Sequence, residues 1–246
     1  MKKIAILITL LASFVGLTAS AQQAASSYQV TTDFSYTSQY VFRGLKYASD
    51  AFTPSVEVAI DDFYVGLWTM QPFSDWRGER PQNEVDIYAG YKQKLTNTIS
   101  IEGVATYYWY PDSKDDELSK SYELGVGATW AYNRLTASAY LYYDFRLEAT
   151  TVVASVGYSF PIEKLSTSVD VAFYAGTVGI RDWAPDSNRA GVRESYNYYG
   201  FDVSIPYRIT DRATVTLGAH YANNDNTPIG TDDNRFWFTL GLSVGF

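Results

Sequence analysis

Cysteine is absent from the 246-residue sequence, so the chain has neither a lipoprotein anchor nor a disulfide framework. An oxidising periplasm is compatible with that absence. Long apolar runs are also absent. Beyond the first 21 residues, no stretch approaches the roughly 20 apolar residues that a transmembrane helix requires. The sequence therefore predicts a chain without a transmembrane helix.

Positive charge is scarce. The sequence has 19 Lys and Arg residues against 27 Asp and Glu residues, which gives a formal net charge of −8 and a sequence pI of about 4.7. So acidic a chain argues against nucleic acid as a partner, because the phosphate backbone is bound by clustered Lys and Arg side chains.

The N-terminus has the composition of a secretory signal. Lys2 and Lys3 precede an apolar run from Ile4 to Leu17, and Ala19-Ser20-Ala21 supplies small residues at the spacing that a signal peptidase needs. We predict that residues 1–21 are a signal peptide and that residues 22–246 form one domain, because no linker or short-period repeat divides them.

The other end of the chain predicts a β-strand with one apolar face. Every even position from Phe236 to Phe246 is apolar, while glycine, serine and threonine hold most of the odd positions. A terminal aromatic on such a strand is similar to the insertion signal of bacterial outer-membrane barrels. We therefore predict that Phe246 is an insertion signal.

The same alternation recurs along the whole chain. It is cleanest from Tyr28 to Arg43, which we predict to be a single strand. Further segments bring the prediction to about twelve strands: 52–60, 63–70, 83–92, 98–110, 121–132, 135–146, 150–160, 165–176, 196–207, 213–222 and 234–246.

Three features of these strands predict a membrane-spanning antiparallel β-barrel. Short and long connections alternate, as expected for short periplasmic turns and longer extracellular loops, with a tight link near 146–149 as the exception. The apolar face of every strand lacks charge. Aromatic residues gather at both strand ends, with Tyr40 and Phe42 assigned to the outer belt. The alternative is a soluble barrel or sandwich, in which about twelve strands would enclose a space too wide for side chains to fill.

The polar faces of these strands carry many acids. We predict that nine of them line a pore: Asp33, Glu57, Glu84, Asp86, Glu102, Glu123, Asp144, Asp170 and Asp202. On the same faces we find Lys92, and we place Arg43 and Arg146 at the outer rim. An acidic channel favours cations, although polar inward positions also serve merely to keep a lumen hydrated.

Geometry limits what such a pore would pass. Twelve strands about 4.8 Å apart and tilted about 40° give a backbone radius of roughly 12 Å, so small solutes fit and folded proteins do not. Inward aromatic residues narrow the lumen and either stack on solutes or fill space: Trp68, Tyr88, Tyr108, Tyr140, Tyr142 and Tyr174.

The sequence offers little for catalysis. Its one histidine, His220, lies on the polar face of its strand, where we expect a polar rim residue, and no serine nucleophile is evident beside it. A second cluster misses the spacing of a calcium loop: Asp225, Asn226, Asp232, Asp233 and Asn234. We therefore predict no enzyme activity, no catalytic residues, no metal site and no cofactor.

Three sequence blocks resemble the TorF-like family of outer-membrane porins. They are 37–44 (TSQYVFRG), 62–68 (DFYVGLW) and 84–91 (EVDIYAGY), in the order and approximate spacing of that family. The resemblance implies a barrel and a porin. It transfers no site residue, because no catalytic or ligand residues are well defined for the family.

Taken together, these features predict an outer-membrane porin of a Gram-negative bacterium, a passive channel for small hydrophilic solutes with cation preference. Its predicted partners are outer-membrane lipid and lipopolysaccharide, the barrel-insertion machinery, and small solutes or ions. The alternative is a non-conducting barrel with a surface-binding or structural role. The sequence leaves the oligomeric state open.

Overall fold

A computed structural model describes residues 28–74, 83–113, 119–180, 194–225 and 234–246. The predicted signal peptide lies outside the described residues. One short 3-10 helix, Glu163–Leu165, accompanies fourteen strands. The strands are β1 (Gln29–Thr37), β2 (Tyr40–Phe42), β3 (Leu45–Ala48), β4 (Ala51–Ile60), β5 (Phe63–Pro72), β6 (Glu84–Lys94), β7 (Ile99–Trp109), β8 (Lys120–Tyr132), β9 (Leu135–Asp144), β10 (Ala149–Ile162), β11 (Thr167–Ile180), β12 (Glu194–Arg208), β13 (Ala213–Asn224) and β14 (Asn234–Gly245). None of the described segments is a helix of the length and apolarity needed to cross a bilayer.

Twelve of these strands, β1 and β4 to β14, form a closed antiparallel barrel, which confirms the predicted fold class. Each barrel strand pairs with the next barrel strand along the chain, so that β1 pairs with β4. The barrel closes where β1 pairs with β14. At this seam Thr31 lies opposite Gly245 and Thr37 opposite Thr239. Closure leaves no edge strand in the barrel, so its ladder groups are paired all the way round.

Short connections lie at one end of the barrel and longer connections lie at the other, as predicted. One end, here called the short-turn end, carries two-residue turns at Asp61-Asp62 and Asn133-Arg134, in which Asp61 and Asn133 have positive φ. The other, the long-loop end, carries the longer connections and the short one at 145–148 that was expected as the exception. Strand lengths and turn lengths therefore follow the pattern of a membrane barrel.

The outer face of the barrel is an exposed apolar surface. Val126 and Leu217 are 59% and 57% exposed near the middle of their strands, where a soluble protein would bury them. Exposed aromatic residues lie toward the strand ends: Trp109, Phe145, Phe236 and Phe238 at the long-loop end, and Trp130, Tyr132, Phe160, Tyr207 and Phe246 at the short-turn end. This arrangement is that of a surface in contact with hydrocarbon and its two interfaces.

The prediction of one strand from Tyr28 to Arg43 is wrong. Strand β1 ends at Thr37, and the chain then turns into the barrel as the hairpin β2–β3, a separate two-stranded sheet. Arg43 and Gly44 form its turn with φ of 50° and 78°, the positive values that tight two-residue hairpin turns require. Tyr40 is buried inside the barrel, so it does not belong to an outer aromatic belt.

Inward tyrosines lie against glycines on the neighbouring strand. Tyr140 is paired with Gly127, and a Cβ on that glycine would come within 2.2 Å of the Tyr140 ring. Five more pairs repeat this arrangement: Tyr64 with Gly90, Tyr88 with Gly66, Tyr142 with Gly125, Tyr174 with Gly200 and Tyr198 with Gly176. Because each ring covers a residue without a side chain, it lies along the wall and takes less space from the lumen.

Replacing one of these glycines should destabilise the barrel. In Gly127→Ala the new methyl group overlaps the Tyr140 ring, and overpacking of this kind costs about 1–3 kcal/mol. Gly103→Ala is the matched control, because a Cβ at Gly103 has no atom within 4 Å. The urea midpoint of unfolding, followed by heat-modifiable electrophoretic mobility, should fall for Gly127→Ala and stay near wild type for Gly103→Ala. Equal midpoints for the two variants would contradict the role of the ring.

Candidate functional site

The hairpin β2–β3 crosses the lumen in the half nearest the long loops. On one side, the Tyr40 ring packs against Trp68 of β5 at a centroid distance of 5.5 Å. On the other side, Val41 packs against Ala222 of β13 and Trp237 of β14. The hairpin is thus held by apolar contacts to widely separated parts of the wall.

The tip of the hairpin is fixed by two further contacts. Leu45, which is 1% exposed, packs into a cluster that includes Tyr196 and Tyr198 of β12. The Asn224 side-chain amide donates a 2.8 Å hydrogen bond to the Gly44 carbonyl. A Cβ at position 44 would lie 2.6 Å from the Tyr198 Cβ, so close approach as well as positive φ requires glycine here.

Arg43 reaches from the tip to the opposite wall, where its guanidinium pairs with Glu123 of β8. The two N–H···O distances are 2.7 Å and 2.8 Å, which is bidentate geometry. The side chains of Arg43 and Glu123 are 15% and 2% exposed. Arg43 also lies 5.0 Å from the Tyr142 ring centroid, and Tyr108 donates a third hydrogen bond to Glu123. The prediction that Arg43 lies at the outer rim is therefore wrong, because it is drawn inward by a buried carboxylate.

The nine acids singled out from the sequence lie on the strand faces opposite the exposed apolar side chains. Those toward the long-loop end are Glu84, Asp86, Glu123 and Asp144; those toward the short-turn end are Asp33, Glu57, Glu102 and Asp170; and Asp202 lies between the two groups. Their placement on one face follows from strand parity, because side chains alternate sides at each residue.

Most of these carboxylates are held by donors on the wall. Tyr64 and Tyr140 each donate a 2.6 Å hydrogen bond to Glu102, and Lys92 lies 3.8 Å from the same side chain. Five further side-chain hydrogen bonds to these acids run from Tyr88 to Glu57, Tyr110 to Glu84, Ser55 to Asp33, Ser121 to Asp144 and Ser159 to Asp170. Three of the tyrosines expected to stack on solutes or fill space, Tyr88, Tyr108 and Tyr140, are therefore also hydrogen-bond donors to these acids.

His220 is a buried residue and not the rim residue that we expected. It is 1% exposed and stacks on Trp237 at a centroid distance of 5.2 Å. Its Nδ1 lies 2.6 Å from Asp202 Oδ1, and its Nε2 lies 2.9 Å from the Thr239 hydroxyl. These two contacts, one at each ring nitrogen, fix the orientation of the imidazole.

The acidic cluster near Asp225 does not gather around a cation in the part of the chain that the structure describes. Asp225 accepts hydrogen bonds from the backbone N–H and the side-chain amide of Asn197, which hold the pKa of its carboxyl below the usual value. The side-chain Oδ1 of Asn234 accepts hydrogen bonds from the Tyr221 hydroxyl and the Asn223 side-chain amide. Asn226, Asp232 and Asp233 lie outside the described residues, and no metal-ligating group of three or more side chains occurs among the described ones.

Two cavities lie on either side of the hairpin. The outer cavity, about 620 Å³, is lined by hairpin residues including Arg43 and Tyr47 and by Glu84, Glu123 and Asp144. The inner cavity, about 720 Å³, is lined by Tyr40 and Val41 together with polar side chains of β1, β12, β13 and β14. Tyr40 lines both cavities. The hairpin is therefore the element that separates them.

Among the solved structures that share this fold are three outer-membrane channels. The first is a KdgM porin, with a TM-score of 0.57, 11% identity, and coverage of 88% of this chain and 99% of that one. The second, a "KdgM porin in complex with disordered oligogalacturonate", has a TM-score of 0.55 and 8% identity, and covers 89% and 99%. The third is the COG4313 outer membrane channel from Pseudomonas putida F1, with a TM-score of 0.53 and 10% identity, covering 92% and 98%. At these identities the likeness is one of fold.

In sequence, residues 21–141 match a family described as "Bacterial protein of unknown function (Gcw_chp)". The three blocks that resemble the TorF-like porins all lie within these residues, and that narrower assignment stays a prediction. Comparison with curated proteins gives no match.

Removing the Arg43 charge should destabilise the barrel far more than removing both partners. Arg43→Gln leaves Glu123 buried without a cation, a change that costs about 3–5 kcal/mol. The double variant Arg43→Gln, Glu123→Gln contains no uncompensated charge at this site and should recover most of that loss. Urea midpoints of the folded barrel measure both. A single variant as stable as wild type would contradict the structural role of the pair.

Proposed function

We propose that this protein is a channel for small hydrophilic solutes in the bacterial outer membrane. The observation that carries the proposal is the closed barrel, exposed and apolar outside, which holds two cavities in series with charged and hydroxyl-bearing side chains in their walls. Its fold likeness to the KdgM porins and the COG4313 channel supports the same conclusion. The hairpin between the cavities is then the constriction, and a solute must pass Tyr40 and Arg43 to cross.

We further propose that the channel prefers cations. Of the nine inward acids, three have a basic side chain at ion-pair distance: Glu123 has Arg43, Glu102 has Lys92 and Asp202 has His220. Glu57 accepts a hydrogen bond from Tyr88, and Glu84 accepts one from Tyr110, so these two acids are held by neutral donors and not by a base. One Asp86 oxygen is buried without a hydrogen-bond partner among the described residues. A passage lined by such groups raises the local cation concentration and repels anions.

One observation favours the alternative, a barrel that does not conduct and serves a surface-binding or structural role. The hairpin is anchored by a bidentate ion pair, by Asn224 and by apolar contacts, so it can also act as a permanent plug. Thr37 and Ala51, which flank the hairpin, are cross-strand partners. A short glycine–serine turn can therefore replace the whole hairpin without moving the barrel strands.

In planar bilayers, the wild-type barrel should conduct with a reversal potential that shows cation preference. The preference should weaken in high salt, because the Debye length falls from about 10 Å at 0.1 M to about 3 Å at 1 M. The variant Glu57→Gln, Glu84→Gln, Asp86→Asn should shift the reversal potential toward zero. Glu163→Gln, at an exposed acid outside the lumen, is the control and should leave it unchanged.

The hairpin-replacement variant completes this experiment. A larger single-channel conductance than wild type would support the hairpin as the constriction of an open channel. Conductance in that variant but none in a folded wild-type barrel would overturn the channel proposal in favour of a plugged barrel. Anion preference in the wild type would overturn the proposed selectivity.

We propose, finally, that Phe246 is the signal read by the barrel-insertion machinery. Its side chain is 67% exposed at the short-turn end, and its backbone N–H donates a 2.9 Å hydrogen bond to Val30 across the seam. The ring is thus accessible on the strand that closes the barrel. An outer-membrane location in contact with lipid and lipopolysaccharide belongs to the same proposal.

Deleting Phe246 should leave a secreted protein that inserts poorly, whereas Phe246→Tyr, which keeps a terminal aromatic ring, should insert normally. The fraction of heat-modifiable barrel in outer-membrane preparations measures this. Wild-type insertion of the deletion variant would argue against the signal.

A further inference from the structure

The inner cavity has an unusual lining for a space of its size. Half of its fourteen lining residues are serine or threonine: Ser35, Thr37, Thr53, Ser204, Thr216, Thr239 and Ser243. They come from β1 and β4 on one side of the seam and from β12, β13 and β14 on the other.

Several of these hydroxyls have no partner in the protein. Ser35, Ser204 and Thr216 make no side-chain hydrogen bond within the described part of the chain, and Ser204 is 2% exposed. Thr216 and Ser35 are both register partners of Gly241, and the Ser35 hydroxyl lies over that glycine, where a Cβ would come within 2.7 Å of it. Ser35 and Thr216 are half-buried, so their hydroxyls can donate and accept hydrogen bonds with a solute in the cavity.

The remaining lining residues restrict the charge and shape of such a ligand. Asp33 places a carboxylate at the wall, which disfavours an anion. Asp33 already accepts a hydrogen bond from Ser55 at 3.4 Å, and no cluster of metal-ligating groups accompanies it in the described residues. Tyr40 and Trp68, whose rings are inclined at 38° to each other, supply aromatic surface at the hairpin side of the cavity.

We infer that the inner cavity is a binding subsite for a neutral, ring-shaped polyhydroxylated solute, that is, an uncharged sugar. Hydroxyl groups both donate and accept hydrogen bonds, so a wall of serine and threonine matches a solute whose own groups are hydroxyls. The aromatic pair receives the apolar face of the sugar ring. This inference rests on the proposed channel function and gives its solute class.

The test uses the folded full-length barrel in a detergent without a sugar headgroup. Tryptophan fluorescence is the readout, because Trp68 lines the cavity and Trp237 stacks on His220, another lining residue. Sucrose, glucosamine and glucuronate are titrated as neutral, cationic and anionic probes. Sucrose should quench or shift the emission saturably, and glucuronate should bind at least tenfold more weakly. The variant Ser204→Ala, Thr216→Val should weaken sucrose binding by about fivefold for each hydroxyl removed.

Ser138→Ala is the matched control. Ser138 is a buried serine of the barrel interior on β9, paired with Ser155 and absent from the cavity lining, so its replacement should leave sucrose binding unchanged. Tighter binding of glucosamine than of sucrose would overturn the inference in favour of a cation site. Equal binding of glucuronate, or an unchanged affinity in the double variant, would overturn it too. Absence of sucrose binding by a barrel that conducts ions would overturn the subsite and leave the proposed channel standing.

Discussion

Backbone pairing around a closed circle is the constraint on which the rest of this structure depends. In hydrocarbon an unpaired N–H or C=O group costs several kcal/mol, so a strand can be tolerated there only when both of its edges are paired. The ladder between β1 and β14 meets that requirement for the first and last strands. Closing twelve strands also creates an interior that wall side chains alone do not fill. The hairpin, the two cavities and the interior network of carboxylates and tyrosines are all consequences of that space.

The interior network follows a simple rule of position. A glycine on one strand leaves a gap that the tyrosine of the next strand covers, and for Tyr64, Tyr88 and Tyr140 the hydroxyl then reaches a carboxylate. Tyr140 illustrates it: its ring lies over Gly127 and its hydroxyl bonds to Glu102. The same side chain therefore packs the wall and satisfies a buried acid.

The barrel could be predicted from the sequence because alternation with period two is a local property that every strand repeats. The hairpin could not, since β2 continues the alternation of β1 and periodicity carries no information about a change of direction. Arg43-Gly44 was the available signal, a pair suited to a tight turn in the middle of the supposed strand. The acids were assignable to a face by parity. Their partners were not, because the Arg43 to Glu123 pair joins residues eighty positions apart across the lumen. The burial of His220 likewise depends on Trp237 and Asp202, which only the closed barrel brings together.

The position of the hairpin in the chain has a consequence for the order in which this protein is made. It follows the first strand, yet Val41 packs against Trp237 of the last strand and the Gly44 carbonyl is held by Asn224 of the one before it. The hairpin is therefore synthesised early, but it can make these contacts only after the last two strands have joined the barrel. The hairpin therefore divides the interior into two chambers only once β13 and β14 are in place.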